Sequence, residues 1–156
     1  MPSPITYSNT TEPESRDFPM PKNQLEEFAT QYTAAWCSRK ALSVASFFEE
    51  NGSLTINNGQ PSIGRDAITE AAQGFMTAFP DINVKMDGLD VEGEQVIYRW
   101  TLTGTNSGPD GTGNAVRISG FEKWTISPDG LIAESSGNYD EVEYERQLEE
   151  GADCAQ

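Results

Sequence analysis

"VRISGFEKWTIS", residues 116–127, reads as a β-strand with one foreign member. Val116, Ile118, Trp124 and Ile126 share a parity, and side chains two residues apart leave the same face of a strand. Glu122 has that parity too. If the row faces the interior, a carboxylate stands among apolar side chains, where an unpaired charge is costly enough to demand compensation. Three readings stand. Glu122 pairs with a basic group such as Arg99 or Arg117, or it opens onto water at a strand end. In the third, it is a carboxylic acid kept neutral by desolvation, able to donate a hydrogen bond or move a proton.

The rest of the chain raises the stakes on that residue. There is no histidine among the 156 residues. This removes the Ser-His-Asp and Cys-His triads, the commonest zinc ligand and the usual general base at neutral pH. Acid–base chemistry falls to carboxylates, tyrosines, lysines or water. The two cysteines, Cys37 and Cys154, make neither a metal-binding spacing nor a CxxC motif. Cys37 falls in a helix and Cys154 near a chain end, which argues against a disulfide. No metal and no cofactor is expected.

With 25 acidic and 10 basic side chains, the formal charge is −15. Such a surface repels phosphate backbones and anionic lipid, so neither nucleic acid nor membrane is an expected partner. No run approaches the roughly 18 apolar residues of a membrane span. "MPSPITYSNTTEPESRDFPMP" has no basic head and no apolar block, so nothing there reads as a secretory signal and a cytoplasmic protein is expected. The acids of "DEVEYERQLEEGAD" suggest a solvated tail rather than a site.

Residues 1–21, rich in Pro, Ser, Thr and Glu, read as a flexible lead-in to a domain over 22–149, with a flexible tail at 150–156. Asn23 and Glu26 resemble a capping box. Leu25, Phe28, Ala29, Tyr32, Ala35 and Trp36 follow at helical spacing, and Arg39 and Lys40 suit the negative end of the dipole. "ALSVASFFEENG" predicts a second helix ending at Asn51-Gly52, and "SLTI" a short strand. "GRDAITEAAQGFMTAFP" predicts a third helix, stopped at Pro80. The period then changes to two: Ile82, Val84 and Met86; Val96, Tyr98, Trp100 and Leu102; the strand around Glu122; and "LIAESSGNYD", with "EVEYERQLEE" as a closing helix. Helices followed by strand pairs predict an α+β domain, three N-terminal helices packed on the concave face of a curved, cone-shaped antiparallel sheet. A cone has a mouth, and a mouth is where ligands bind.

The order of elements, with "GQPSIGRDAI", "RWTLTGTNSGP", "GFEKWTI", "DGLIAES" and "GNYD", resembles the SnoaL-like polyketide cyclases of the nuclear transport factor 2-like superfamily, over roughly residues 23–148. That superfamily, cystatin-like in fold, holds isomerases, cyclases, dehydratases, epoxide hydrolases and non-catalytic binding proteins. The resemblance implies a small-molecule-binding domain, and a cofactor-independent isomerase or cyclase acting on a hydrophobic carbonyl compound. Ketosteroid isomerase, a relative, holds an oxyanion with a tyrosine on its first helix and a protonated aspartic acid on a late strand. Tyr32 and Glu122 stand at those positions, so the resemblance makes them the catalytic pair. The departures are several. "TINNG" offers Asn57 and Asn58 where the isomerase has its basic aspartate; Asn106 and Asn138 replace histidines common in relatives; Arg99-Trp100-Thr101 lacks the aspartate of an epoxide-hydrolase pair. No relative's complete site is present.

Each further candidate has a plain structural alternative. Tyr98, Trp100 and Trp124 would line a pocket for a flat hydrophobic ligand, or are simply core. Tyr32 points its hydroxyl into the cavity, or is an ordinary core tyrosine. Glu134, Asn138 and Asp140 share a parity with Ile132 and would face inward with it; Asp140 would equally cap the last helix. Asn57 and Asn106 would bond a ligand carbonyl, or only make turns. Three functions therefore remain open: enzyme, carrier for the same small hydrophobic molecule, or a non-catalytic dimerisation module of the same fold. Arg99, Thr101, Thr103, Arg117, Ser119, Phe121 and Lys123 share the parity opposite the apolar row, and this outer sheet face is the expected homodimer surface.

Overall fold

The computed structural model describes residues 21–152. Most of the expected lead-in, and residues 153–156 with Cys154, lie outside them. The elements run α1 (Lys22–Cys37), α2 (Ala41–Ala45), β1 (Phe48–Ile56), β2 (Ser62–Ile63), α3 (Arg65–Ala78), β3 (Asn83–Glu92), β4 (Gln95–Thr105), β5 (Ala115–Ile126), β6 (Ile132–Tyr139) and α4 (Glu141–Glu150). Six strands form one curved, unclosed sheet in the order β2-β1-β6-β5-β4-β3. β6, β5, β4 and β3 are joined antiparallel, while β1 enters parallel to β6. The fold class is the α+β arrangement read from the sequence.

Three local expectations change. Helix α1 begins at Lys22 behind an extended Pro21, and no side chain caps it, so Asn23 lies inside the first turn and forms no capping box. Arg39 and Lys40 follow the helix rather than ending it, with Arg39 in the left-handed region at φ 63°. The predicted second helix stops at Ala45, and "FEENG" belongs to β1. There Phe48 pairs with Ile132 of β6 and is fully buried, so a sheet partner outweighs local helical preference.

The core fills the space between the sheet's inner face and α1 and α3. Leu25, Ala29, Tyr32 and Trp36 of α1 meet Ile68, Ala72 and Met76 of α3 and the apolar rows of β4 and β5. Tyr32 is its aromatic hub, with ring centroids at 5.1 Å from Trp124, 5.5 Å from Tyr98 and 5.7 Å from Phe47, all edge-on. Such pairs add about 0.5–1.5 kcal/mol each beyond the area they bury.

The acidic C-terminal stretch docks as α4 rather than trailing as a solvated tail. Gln147, buried on its inner face, accepts from the backbone N–H of Arg117 at 2.7 Å, and Asn114 donates to the Leu148 carbonyl at 2.8 Å. Tyr144 packs against Tyr139 and Phe79. This lays α4 across one end of the inner face, beside the cavity described next.

Candidate functional site

Strand β5 brings Glu122 to the interior by simple alternation. Val116, Ile118, Trp124 and Ile126 are buried on the same face, and Glu122 is 8% exposed. Among the described residues, no basic group meets it. Arg99 is exposed and paired with Asp90, and Arg117 lies on the outer side. Its partners are neutral donors. Trp124 Nε1 donates to Oε1 at 2.8 Å, Ser135 Oγ to the same oxygen at 2.8 Å, and the Tyr32 hydroxyl to Oε1 at 3.1 Å and Oε2 at 3.2 Å.

The two oxygens are therefore unequal. Oε1 takes three donors, while Oε2 is touched only by the longer branch of the Tyr32 bond. Burial raises the Glu122 pKa, and the bonds from Trp124, Ser135 and Tyr32 pull it back only in part. Burial, and then the Glu122 charge, raises the Tyr32 pKa well above that of a free tyrosine, so it acts as donor and not as base.

Glu122 forms part of the wall of an otherwise apolar cavity of about 60 Å³. Leu54, Ile56, Phe75, Trp100, Leu102 and Ile118 supply much of the lining, with Tyr98, Tyr139 and Tyr144 as its phenols. That volume holds a few small groups and falls below the roughly 150 Å³ that admits benzene in an engineered apolar cavity. A ring-sized ligand requires a wall to shift, and Tyr144 on α4 is a half-exposed wall member. Burial, aided by its neighbour Tyr144, pushes the Tyr139 hydroxyl up to about 12, and burial raises Tyr144 as well. Both keep their protons at neutral pH.

The expected site residues divide. Glu122, Tyr98 and Trp100 are on the cavity wall. Tyr32 and Trp124 are fully buried behind it, with their polar atoms on Glu122. Tyr32 thus reaches the carboxyl rather than the cavity, because α1 lays its ring on Trp124 and Tyr98. Tyr98 stacks on Trp124 with centroids 4.8 Å apart and turns its hydroxyl to Thr33 Oγ1 at 2.5 Å.

Glu134, Asn138 and Asp140 do not face inward. The pairing of β5 with β6 slips between Thr125 and Ile126, so Glu134 opposes Thr125 while Ile132 opposes Ile126. One extra residue reverses the alternation. Ser135, Gly137 and Tyr139 take the inner face, and Glu134 is exposed. Asp140 accepts from the Glu143 N–H at 3.1 Å as the α4 N-cap, and Asn138 donates to the Ser136 carbonyl at 3.4 Å. Asn106 is buried but spent on its own loop, donating to the Ala78 carbonyl and accepting from Thr112. Asn57 sits in a left-handed turn, and its Oδ1 accepts from the Tyr139 N–H at 2.9 Å. Ser135, Tyr139 and Tyr144 are the site residues that sequence reasoning missed. Only the slip could have signalled the first two, and a slip leaves no mark on hydropathy.

Gly120 shapes the cavity from beneath. A Cβ there would lie 2.7 Å from Trp100 Cζ2 and 2.2 Å from the Asn138 carbonyl oxygen, so the indole rests directly on the β5 backbone. Among the described residues, no group of three or more Cys, Asp and Glu side chains could hold a metal ion, and no helix is long and apolar enough to cross a membrane.

Comparison with known proteins bears on the family and the fold. The family model described as SnoaL-like polyketide cyclase matches residues 26–148. Among curated proteins, none matches significantly in sequence. Solved structures with the same fold include TsrD from Streptomyces laurentii, at TM-score 0.71 and 19% identity, covering 83% of this chain and 97% of that one. SalBIII, an epoxide hydrolase/cyclase-like enzyme of pyran ring formation in the polyether salinomycin, aligns at TM-score 0.67 and 19% identity over 80% and 97% of the two chains. A hypothetical protein from Catenulispora acidiphila has the ketosteroid isomerase-like fold and was solved with trimethylamine. It aligns at TM-score 0.69 and 15% identity over 78% and 92%.

Proposed function

Because the chain belongs to the SnoaL-like polyketide cyclase family, we propose that it is a cofactor-independent isomerase- or cyclase-type enzyme acting on a small hydrophobic carbonyl compound. One observation carries this reading. A carboxyl with no basic partner among the described residues stands on the wall of an apolar cavity, with one oxygen taking three donors and the other only the second branch of the Tyr32 bond.

Ionised Glu122 removes a proton from the carbon next to the ligand carbonyl and receives it on Oε2. The electron pair passes to the carbonyl oxygen as an enolate. The carboxyl then returns the same proton, to that carbon or to the other end of a conjugated system. Desolvation makes Glu122 a stronger base than a free glutamate, which suits a carbon acid. Tyr32, Trp124 and Ser135 fix the carboxyl from behind and stabilise its ionised form on Oε1. Tyr32 is in this reading a positioning residue.

The test needs no knowledge of the natural substrate. Cyclopentanone in D2O, followed by proton NMR, should lose its α-hydrogens faster with the protein than with buffer. Glu122→Gln should reduce the rate by about 10²–10⁴-fold, the usual worth of a general base, with the fold intact by circular dichroism. Binding of the ketone without exchange would instead support the second reading, a non-catalytic carrier. The absence of a second carboxylate from the cavity wall favours that reading. We further infer a cytoplasmic homodimer formed through the outer sheet face. There Thr101 bonds Ser119 at 2.7 Å, and Arg117 and Lys123 stand exposed. Sedimentation at several concentrations tests the dimer, and a species that stays monomeric excludes it.

A further inference from the structure

The proposed proton transfer leaves negative charge on a ligand oxygen, and that charge needs a donor held ready for it. The family resemblance would assign the task to Tyr32, but Tyr32 has its hydroxyl on Glu122. Tyr98 has its hydroxyl on Thr33. The Tyr139 and Tyr144 side chains are partly buried, as Trp100 is, but their hydroxyls are not among the buried polar atoms left unpaired.

Among the described residues, two buried side-chain polar atoms have no hydrogen-bond partner, Trp100 Nε1 and Asn57 Nδ2. Only Trp100 is a cavity-wall residue. A buried N–H left unpaired has given up its bond to water without a replacement, so a site that keeps one gains when an acceptor arrives. We propose that Trp100 Nε1 is the oxyanion donor of this site, binding the enolate oxygen while Glu122 holds the proton.

Sheet register supports the placement. Trp100 pairs with Gly120 and Tyr98 with Glu122, so Trp100 and Glu122 are diagonal neighbours on the inner face. Diagonal positions lie roughly 7–8 Å apart. Both side chains line the same cavity, so one small ligand there can touch both. The missing side chain at Gly120 lets the indole close on the β5 backbone, and Tyr139 meets it edge-on at 6.1 Å. The wall carries no lysine or arginine. The ligand this arrangement takes is therefore a neutral ketone or ester that acquires charge during the reaction, rather than a carboxylate or phosphate already charged.

This inference rests on the proposed role of Glu122, and two measurements separate their fates. In the deuterium-exchange assay, Trp100→Phe keeps an aromatic ring on Gly120 and removes the N–H. The expected result is a fall in kcat of about 10²-fold with KM little changed, the size seen when one oxyanion donor is lost. In the Glu122→Gln protein, whose amide mimics the protonated base, 4-nitrophenolate stands in for the enolate. The expected result is a downfield shift of the Trp100 indole proton, identified among the three indole signals by its absence in the Trp100→Phe double variant. Exchange that survives Trp100→Phe, a loss confined to KM, or a larger kcat loss in Tyr139→Phe overturns the Trp100 assignment and leaves Glu122 standing. Absent exchange with a shifted indole removes Glu122 and keeps the anion site. Absent exchange and an unmoved indole remove both.

Discussion

Tyr32 and Glu122 stand 90 residues apart in the chain and meet through a 3.1 Å hydrogen bond in the core. The bond joins helix α1 to strand β5 and aims a carboxyl at the cavity from a fully buried support. It is the contact through which helix packing orients the carboxyl.

The buried carboxyl has a signature in stability. Its folded pKa is raised above the ordinary value of 4.5, chiefly by desolvation. The folded state therefore keeps its proton where the unfolded chain has already released it. Stability from this group is complete below the unfolded pKa and declines as pH rises through the folded one. Glu122→Gln, isosteric with the neutral acid, lacks this loss. Melting temperatures of the two proteins should converge at low pH and diverge as pH rises, with the variant the more stable. Parallel curves would show that the carboxyl is not desolvated.

Tyr32→Phe keeps the aromatic hub and deletes one donor. It should cost about 1–2 kcal/mol in urea unfolding, the range for a hydrogen bond to a neutral or charged acceptor. Because the Tyr32 bond lowers the Glu122 pKa, its removal should move the acidic limb of the exchange profile, where Glu122 ionises, to higher pH. An unmoved limb would make Tyr32 a packing residue alone.

Tyr144→Ala opens the cavity toward α4. A half-exposed aromatic should cost about 1–2 kcal/mol, less than the 3–5 of a buried one. The larger hollow should bind cyclohexanone or benzene more tightly than the wild type does, by calorimetry. Unchanged affinity would show that this wall does not limit access.

Asp140→Ala removes the α4 cap. The expected loss is about 1 kcal/mol of stability, with exchange of cyclopentanone unaltered. A fall in exchange greater than the fall in folded protein would return Asp140 to the site.

Local pattern carried much of this architecture, because alternation and helical spacing are written in each segment by itself. The inward row of β5, the apolar faces of α1 and α3, and the placing of a lone acid in an apolar row were all readable, for burial follows hydropathy along a strand or helix. Even Trp124 as a partner of Glu122 was implicit in two residues of one parity.

Other features belonged to pairings between distant segments. "FEENG" is a strand because Ile132 offers Phe48 a sheet neighbour, and nothing within the segment records that neighbour. The slip between Thr125 and Ile126 reverses β6, trading Glu134 and Asn138 for Ser135 and Tyr139, since a period of two inverts with a single extra residue. Sequence by itself placed one acid in an apolar row of a chain without histidine or metal-ligand spacing, and left open whether it pairs with a base, meets water or is buried neutral. Only tertiary structure decided that it is buried, which donors surround it, how unevenly they share its two oxygens and which indole N–H on the same wall stays unpaired, because those depend on register and on how two helices lay their rings across a curved sheet.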